Sequence, residues 1–81
     1  MLRLVFLGKL ADVAGVAAMD LAVDGPCDWT ALRSLLPPDL AAAVQGEKVR
    51  AAVDGEVLTD KAALVALPGS EIAFFPPVSG G

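Results

Sequence analysis

The sequence predicts an α+β domain, a mixed sheet of about five strands covered by one principal helix with short extra helices. Three observations carry that expectation. Short apolar runs rich in strand-forming residues lie near both ends, Leu2 to Leu7 and Ile72 to Phe75. Between them Trp29, Leu32 and Leu36 recur at i, i+3 and i+7, one stripe of a helix, with Asp28 in the N-cap position. Asp54-Gly55 is a strong hairpin dipeptide between two further apolar runs.

Each element follows from local chemistry. Lys9 to Ala14 predicts a short helical turn, with Leu10 and Val13 at i and i+3 and Gly15 as its stop. Ala17 to Val23 alternates Met19, Leu21 and Val23 with Ala18, Asp20 and Ala22, the period of a half-buried strand. Those two strands make a hairpin with the short helix in its loop. Asp24-Gly25-Pro26 breaks the pattern, and Pro37-Pro38 ends the main helix. Asp39 then caps a second short helix running to Val44, closed by Gly46. Val49 to Val53 and Glu56 to Leu58 are the arms of the Asp54-Gly55 hairpin, and Leu67-Pro68-Gly69-Ser70 turns into the last strand. After the polar break at Thr59-Asp60-Lys61, the Ala/Leu/Val stretch has no decisive period. The order strand, strand, helix, strand, strand, strand is that of the β-grasp, in which the first and last strands lie parallel at the sheet centre.

Composition bounds the function. A chain of 81 residues is one domain with a modest core, and 56% hydrophobic against 20% charged residues excludes disorder. The net charge of −4 argues against nucleic acid, which wants a basic face, and favours a basic protein surface. Cys27 is alone, so no internal disulfide forms. No apolar run approaches the roughly 18 residues of a membrane span, and Lys9 and Asp12 interrupt any signal-peptide core, so a cytosolic protein is expected. With no His and no Tyr, and no GxGxxG, P-loop or CxxC, the side chains are poorly equipped to run a reaction. Asp12, Asp20, Asp60 and Glu71 read as solvated charges without metal-site spacing, and no metal or tightly bound cofactor is expected.

A sheet with one helix layer needs one apolar face, yet both end strands are apolar on two. If the helix stripe covers Leu4, Phe6, Ile72 and Phe74, then Val5, Leu7 and Phe75 face outward and predict a protein-binding patch. Residues 1–75 make the folded domain and residues 76–81 an extended tail. Phe74-Phe75 fastens that tail, with one ring to the core and one outward. Pro76 and Pro77 donate no sheet hydrogen bond and hold φ near about −65°, so the chain leaves extended. The six residues after Phe75 reach at most about 20 Å, enough to enter a neighbour's active site. Val78 and Ser79 lead to Gly80 and Gly81, the narrowest backbone available, with an unshielded terminal carbonyl. The reactive atom is then expected on the main chain: ATP converts the Gly81 carboxylate to an acyl-adenylate that sulfur, oxygen or amine nucleophiles attack.

In Phe75, Pro76, Pro77, Val78, Gly80 and Gly81 the chain resembles the molybdopterin synthase small subunits, also called molybdopterin-converting factor subunit 1. These are ubiquitin-like sulfur carriers with a PPVxGG-type tail. Pro68-Gly69-Ser70-Glu71-Ile72, Ala31-Leu32-Arg33, Ala51-Ala52-Val53 and Gly15 support the likeness. The resemblance implies that Gly81 is adenylated, at the expense of ATP, by a ubiquitin-activating-like adenylyltransferase and becomes a thiocarboxylate. It implies that the tail enters the large synthase subunit, in a heterotetramer of two small and two large subunits. Sulfur would pass there to precursor Z (cyclic pyranopterin monophosphate), with the catalytic side chains on the large subunit. Lys9-Leu10-Ala11-Asp12 departs from the Arg-Glu pair many relatives carry after the first strand. The same tail chemistry also fits a sulfur carrier for thiamine synthesis or tRNA thiolation, or a ubiquitin-like protein modifier. A purely structural interaction module would not need Gly80-Gly81 at all. Cys27, just ahead of a helix, has two readings, a sulfur relay or a small apolar filler.

Overall fold

The computed structural model describes residues 1–76 and contains β1 (Leu2–Phe6), α1 (Lys9–Ala14), β2 (Ala18–Leu21), β3 (Cys27–Asp28), α2 (Trp29–Leu35), α3 (Pro38–Val44), β4 (Arg50–Val53), β5 (Glu56–Val57), a 3-10 turn (Lys61–Ala63), β6 (Val65–Ala66) and β7 (Glu71–Phe75). Five strands form one sheet in the order β2-β1-β7-β4-β5, and β3-β6 form a separate ribbon. The first and last strands are the central pair and run parallel, with Leu4 opposite Ile72 and Phe6 opposite Phe74. Every other pairing is antiparallel. The inward residues of the two central strands, Leu2, Leu4, Phe6, Ile72 and Phe74, are all buried.

The parallel ladder ends for a covalent reason. Arg3 N–H donates to the Ser70 carbonyl at 3.1 Å, and four residues on Leu7 N–H donates to the Phe74 carbonyl at 3.0 Å. The next rung would run from the N–H of residue 76 to the Leu7 carbonyl, but Pro76 has no N–H. The Leu7 carbonyl instead accepts from Leu10 N–H at 3.2 Å, which opens α1.

The inward residues of β1 and β7 (Leu2, Leu4, Phe6, Ile72, Phe74) meet Leu10 of α1, Leu32 and Leu36 at α2, and Leu40 and Val44 of α3 in a single core. The Phe6 and Phe74 rings stack with centroids 6.0 Å apart at 11°. Full burial of each is worth about 1.5–3 kcal/mol. All three helices therefore pack on the same face of the sheet.

The expected mixed five-strand sheet with its helices is found, and α2 and α3 are each of 7 residues. Several local expectations are corrected. Val13 of α1 is exposed, and the inward side is carried by Leu10 and half-buried Ala14, at i and i+4. Asp39 does not cap α3: Pro37 occupies the N-cap and Pro38 lies at the start of the helix. Proline suits that position because its fixed φ is helical and its missing N–H would have had no helical partner. Leu36 falls just past α2 in an extended conformation (φ −95°, ψ 150°), forced there by the ring of the following Pro37. Trp29, placed in the core by its position on the stripe, is only half-buried; its ring lies 6.2 Å from Phe74 and faces Arg33 and Lys61 on its outer side.

The stretch after Lys61 resolves into the 3-10 turn and β6. Asp60 accepts from Ala62 N–H at 2.9 Å, and β6 pairs with β3 through Cys27 opposite Ala66 and Asp28 opposite Val65. Lys61 Nζ donates to the carbonyls of Val44 at 2.7 Å and Gly46 at 2.6 Å, groups that the end of α3 leaves without helical partners. Burial pushes its pKa below the usual lysine value.

Asp28 and Asp39 thus make a controlled pair. The Asp28 carboxylate accepts from Ala31 N–H at 2.8 Å, the cap that the sequence predicts. Asp28→Ala should cost about 1 kcal/mol and lower Tm by about 4–8 °C in calorimetry. Asp39→Ala, which removes no cap, should cost less than half as much.

Candidate functional site: the uncovered sheet face and the root of the tail

Because the helices share one face, the other is left to solvent or to a partner. Strand register arranges it in three rows. The middle row crosses all five strands: Ala18, Val5, Ala73, Ala52 and Val57, every one apolar. The row towards the start of β7 holds Asp20, Arg3 and Glu71, with Arg3 Nη1 and Asp20 Oδ1 3.7 Å apart. The row towards its end holds Phe75, with Arg50 directly opposite it. Leu7 continues β1 on the other side of Phe75, and the chain departs there.

Val5, Leu7 and Phe75, the residues expected to face outward together, lie on this face, Val5 in the middle row and Leu7 and Phe75 in the row where the tail begins. Leu7 is 46% exposed, and Val5 and Phe75 are half-buried. Sequence reasoning missed Ala18, Ala52, Ala73, Val57 and Arg50. Alternation marks them only once register is known, and three are alanines that no apolar pattern singles out. Val57, 53% exposed, extends the patch to the edge strand.

The tail root is shaped by Gly8. Its φ of 57° and ψ of −135° mirror an extended conformation and are open only to glycine. A Cβ there would stand 3.1 Å from Pro76 Cγ, so the glycine lets the proline ring sit against the start of α1. Of the expected tail residues, Pro76 is half-buried against this surface. Pro77, Val78, Ser79, Gly80 and Gly81 lie outside the described residues.

Cys27 is 4% exposed and packed in the core, on β3 ahead of α2. Desolvation pushes its thiol above the usual cysteine value, and the neighbouring Asp28 carboxylate adds to the shift. Both effects disfavour the thiolate that a sulfur relay needs, and the geometry fits the apolar filler. Among the described residues no group of three His, Cys, Asp or Glu could hold a metal ion, and no helix is long and apolar enough to cross a membrane.

A β-grasp sheet with its helices on one face, an apolar opposite face and a C-terminal segment springing from the central strand defines the class of ubiquitin-like carriers and modifiers. Within that class the chain belongs to the ThiS family, whose model matches residues 4–81. It is similar to SAMP1 from Haloferax volcanii, with 29% identity, TM-score 0.75, and coverage of 99% of this chain and 98% of that one. The HVO 2177 protein of Haloferax volcanii shows 27% identity, TM-score 0.74, and coverage of 99% and 85% respectively. Small archaeal modifier protein 1 from Methanosarcina acetivorans, at 20% identity and TM-score 0.67 over 99% of this chain and 95% of that one, shares the fold. No curated protein sequence matches significantly.

A buried, desolvated thiol should be inert in the native protein. Cys27 should react with a thiol reagent at pH 8 at least about tenfold more slowly than in denaturant. Rapid labelling of the folded protein would reverse that expectation.

Proposed function

We propose that this chain is the sulfur-carrier subunit of a molybdopterin synthase, a non-catalytic donor whose working atom is the Gly81 carbonyl carbon. The observation that carries the reading is the link between the central strand and the last residues. Pro76 ends the β1–β7 ladder at the uncovered face, and the sequence from there is Pro-Pro-Val-Ser-Gly-Gly. The chemistry follows from the terminus. A carboxylate resists attack because its charge is delocalised and it has no leaving group. Transfer of AMP from ATP, with release of pyrophosphate, gives an acyl-adenylate in which AMP leaves readily. Attack by a sulfide-level donor expels AMP and leaves a thiocarboxylate, ionised at neutral pH and more nucleophilic than the carboxylate.

The folded body contributes binding and aim rather than catalysis. Val5, Leu7 and Phe75, with the alanine row beside them, offer apolar area at the point where the tail departs, so docking and insertion are geometrically linked. Binding energy gained at the face offsets the entropy of ordering the tail in a partner's channel, and the two prolines reduce that entropy beforehand. The proposed partners are a ubiquitin-activating-like adenylyltransferase, which uses ATP, and the synthase large subunit, which supplies the base and the pterin site. The setting is the cytoplasm. Membership of the ThiS family supports a sulfur carrier, and the PPVSGG ending supports the pterin pathway within it.

A second reading has its own support. SAMP1 from Haloferax volcanii, 29% identical, carries the name of a small archaeal modifier protein, and a modifier uses the same adenylate but passes the acyl group to an amine of a target protein. The nucleophile separates the two. Intact-mass analysis of the chain, co-expressed with its activating enzyme and a sulfur source, should show one oxygen-to-sulfur exchange at the C-terminus. The thiocarboxylated protein should then convert precursor Z in the presence of the large subunit. Conjugates that survive denaturation, with no conversion of precursor Z, would assign the modifier role instead. An unchanged mass and no conjugates would remove both. One residue added after Gly81 should abolish transfer while leaving Tm within about 1 °C, because the core is built from Leu2 to Phe74.

A further inference from the structure

The uncovered face has two electrostatic ends. Strand register places two cations on it, Arg3 and Arg50, and they are treated differently by the fold. Arg3 lies within an acidic row, 3.7 Å from Asp20 and directly opposite Glu71. Arg50 lies opposite Phe75 at the end where the tail departs, and its side chain is exposed. It borders a cleft with Glu47 and Asp60, yet neither carboxylate reaches ion-pair distance. Among the described residues Arg50 has no ion pair. The two ends of the face therefore differ: one is acidic around a paired arginine, and the other carries an exposed arginine with no carboxylate at ion-pair distance.

We propose that Arg50 is the specificity-determining contact of this face and takes a carboxylate on the docking surface of a protein partner, beside the opening that admits the tail. The inference rests on the carrier reading and holds equally for a modifier, since both must be activated. Net charge alone favours a basic partner surface, but Arg50 reverses the sign locally, so the occupant it commits to is a protein surface apolar at its centre, to match Val5, Ala73, Ala52 and Val57, and acidic at the tail entrance. The net charge of −4 disfavours a phosphate-rich ligand, for which a lone arginine is no match. A guanidinium presents a planar fork that a carboxylate fills in two bonds, which fixes orientation as well as energy. The Asp20–Arg3–Glu71 row, lying about 14 Å away along the strands, repels the same carboxylate if the partner docks turned around. One docking direction therefore delivers the tail to the opening, and the reverse is penalised at both ends.

The test uses the full chain and the ubiquitin-activating-like adenylyltransferase of the same organism as the probe, without ATP, in titration calorimetry. Arg50→Glu should weaken Kd about tenfold at about 50 mM salt and about threefold at about 0.5 M, where the charges are screened. Arg50→Ala should fall between wild type and Arg50→Glu. Arg3→Glu, at the far end, should stay within about twofold of wild type. Unchanged melting temperatures would show that these exposed substitutions leave the fold intact. No binding by the wild type, equal affinity for Arg50→Glu and wild type, a loss indifferent to salt, or an equal loss in Arg3→Glu would each overturn the proposal. ATP–pyrophosphate exchange run in parallel keeps the two levels apart. If the wild type binds through Arg50 but supports no exchange, the activation chemistry fails and the Arg50 contact stands.

Discussion

Everything else in this protein is arranged around the parallel pairing of β1 with β7. Two strands joined by the entire intervening chain must meet side by side, and only the burial of their apolar side chains makes that long-range closure favourable. Leu4 with Ile72 and Phe6 with Phe74 form the contact, and the stacked Phe6 and Phe74 rings sit at its inner surface. Once the pair is made, β2 and β4 have only the outer edges left to join, and the helices have one apolar face to cover. The same pairing brings the C-terminal segment out at the centre of the sheet rather than at an edge. A central origin surrounds the tail root with residues from several strands: Leu7 on one side, Arg50 on the other, Gly8 beneath Pro76.

The division of labour between the two faces follows from side-chain size. Inward positions carry the large groups, Leu and Phe, because three short helices can shield them there. Outward positions in the middle row are mostly alanine and valine, which lose little by remaining in water and offer a smooth surface to a partner. Larger groups return only at Leu7 and Phe75, beside the tail. A domain this small has little stability to spare, and an outer face of large exposed groups would invite self-association. Concentrating the bulky contacts at one end limits that risk and, in the proposed carrier, couples recognition to delivery.

The corrections share a physical origin. Asp39 looks like a cap because carboxylates favour helix N-termini, but Pro38 starts the helix one residue earlier and leaves Asp39 inside its first turn. Two-residue strands such as β3 and β6 are too short for alternation to register, so their pairing is a tertiary fact. Cys27 ahead of α2 suggests an activated thiol when only helix position is considered. Its surroundings decide otherwise, since β6 and the core remove it from water.

What the sequence by itself determined is whatever depends on neighbours along the chain. The Asp28 cap, the Gly15 stop, the hairpin at Asp54-Gly55, the two-faced end strands and the Pro-Pro-Val-Ser-Gly-Gly ending are all of this kind. So was the β-grasp order, because two apolar strands at the chain ends and one helical run between them leave few ways to bury both. Only the tertiary structure decided which outward residues stand together. Ala18, Val5, Ala73, Ala52 and Val57 come from five strands scattered along the chain, and a row across a sheet exists only after register is set by packing on the other side. Arg50 is likewise an ordinary surface arginine in the sequence, and it becomes part of the tail root because β4 pairs with β7 opposite Phe75.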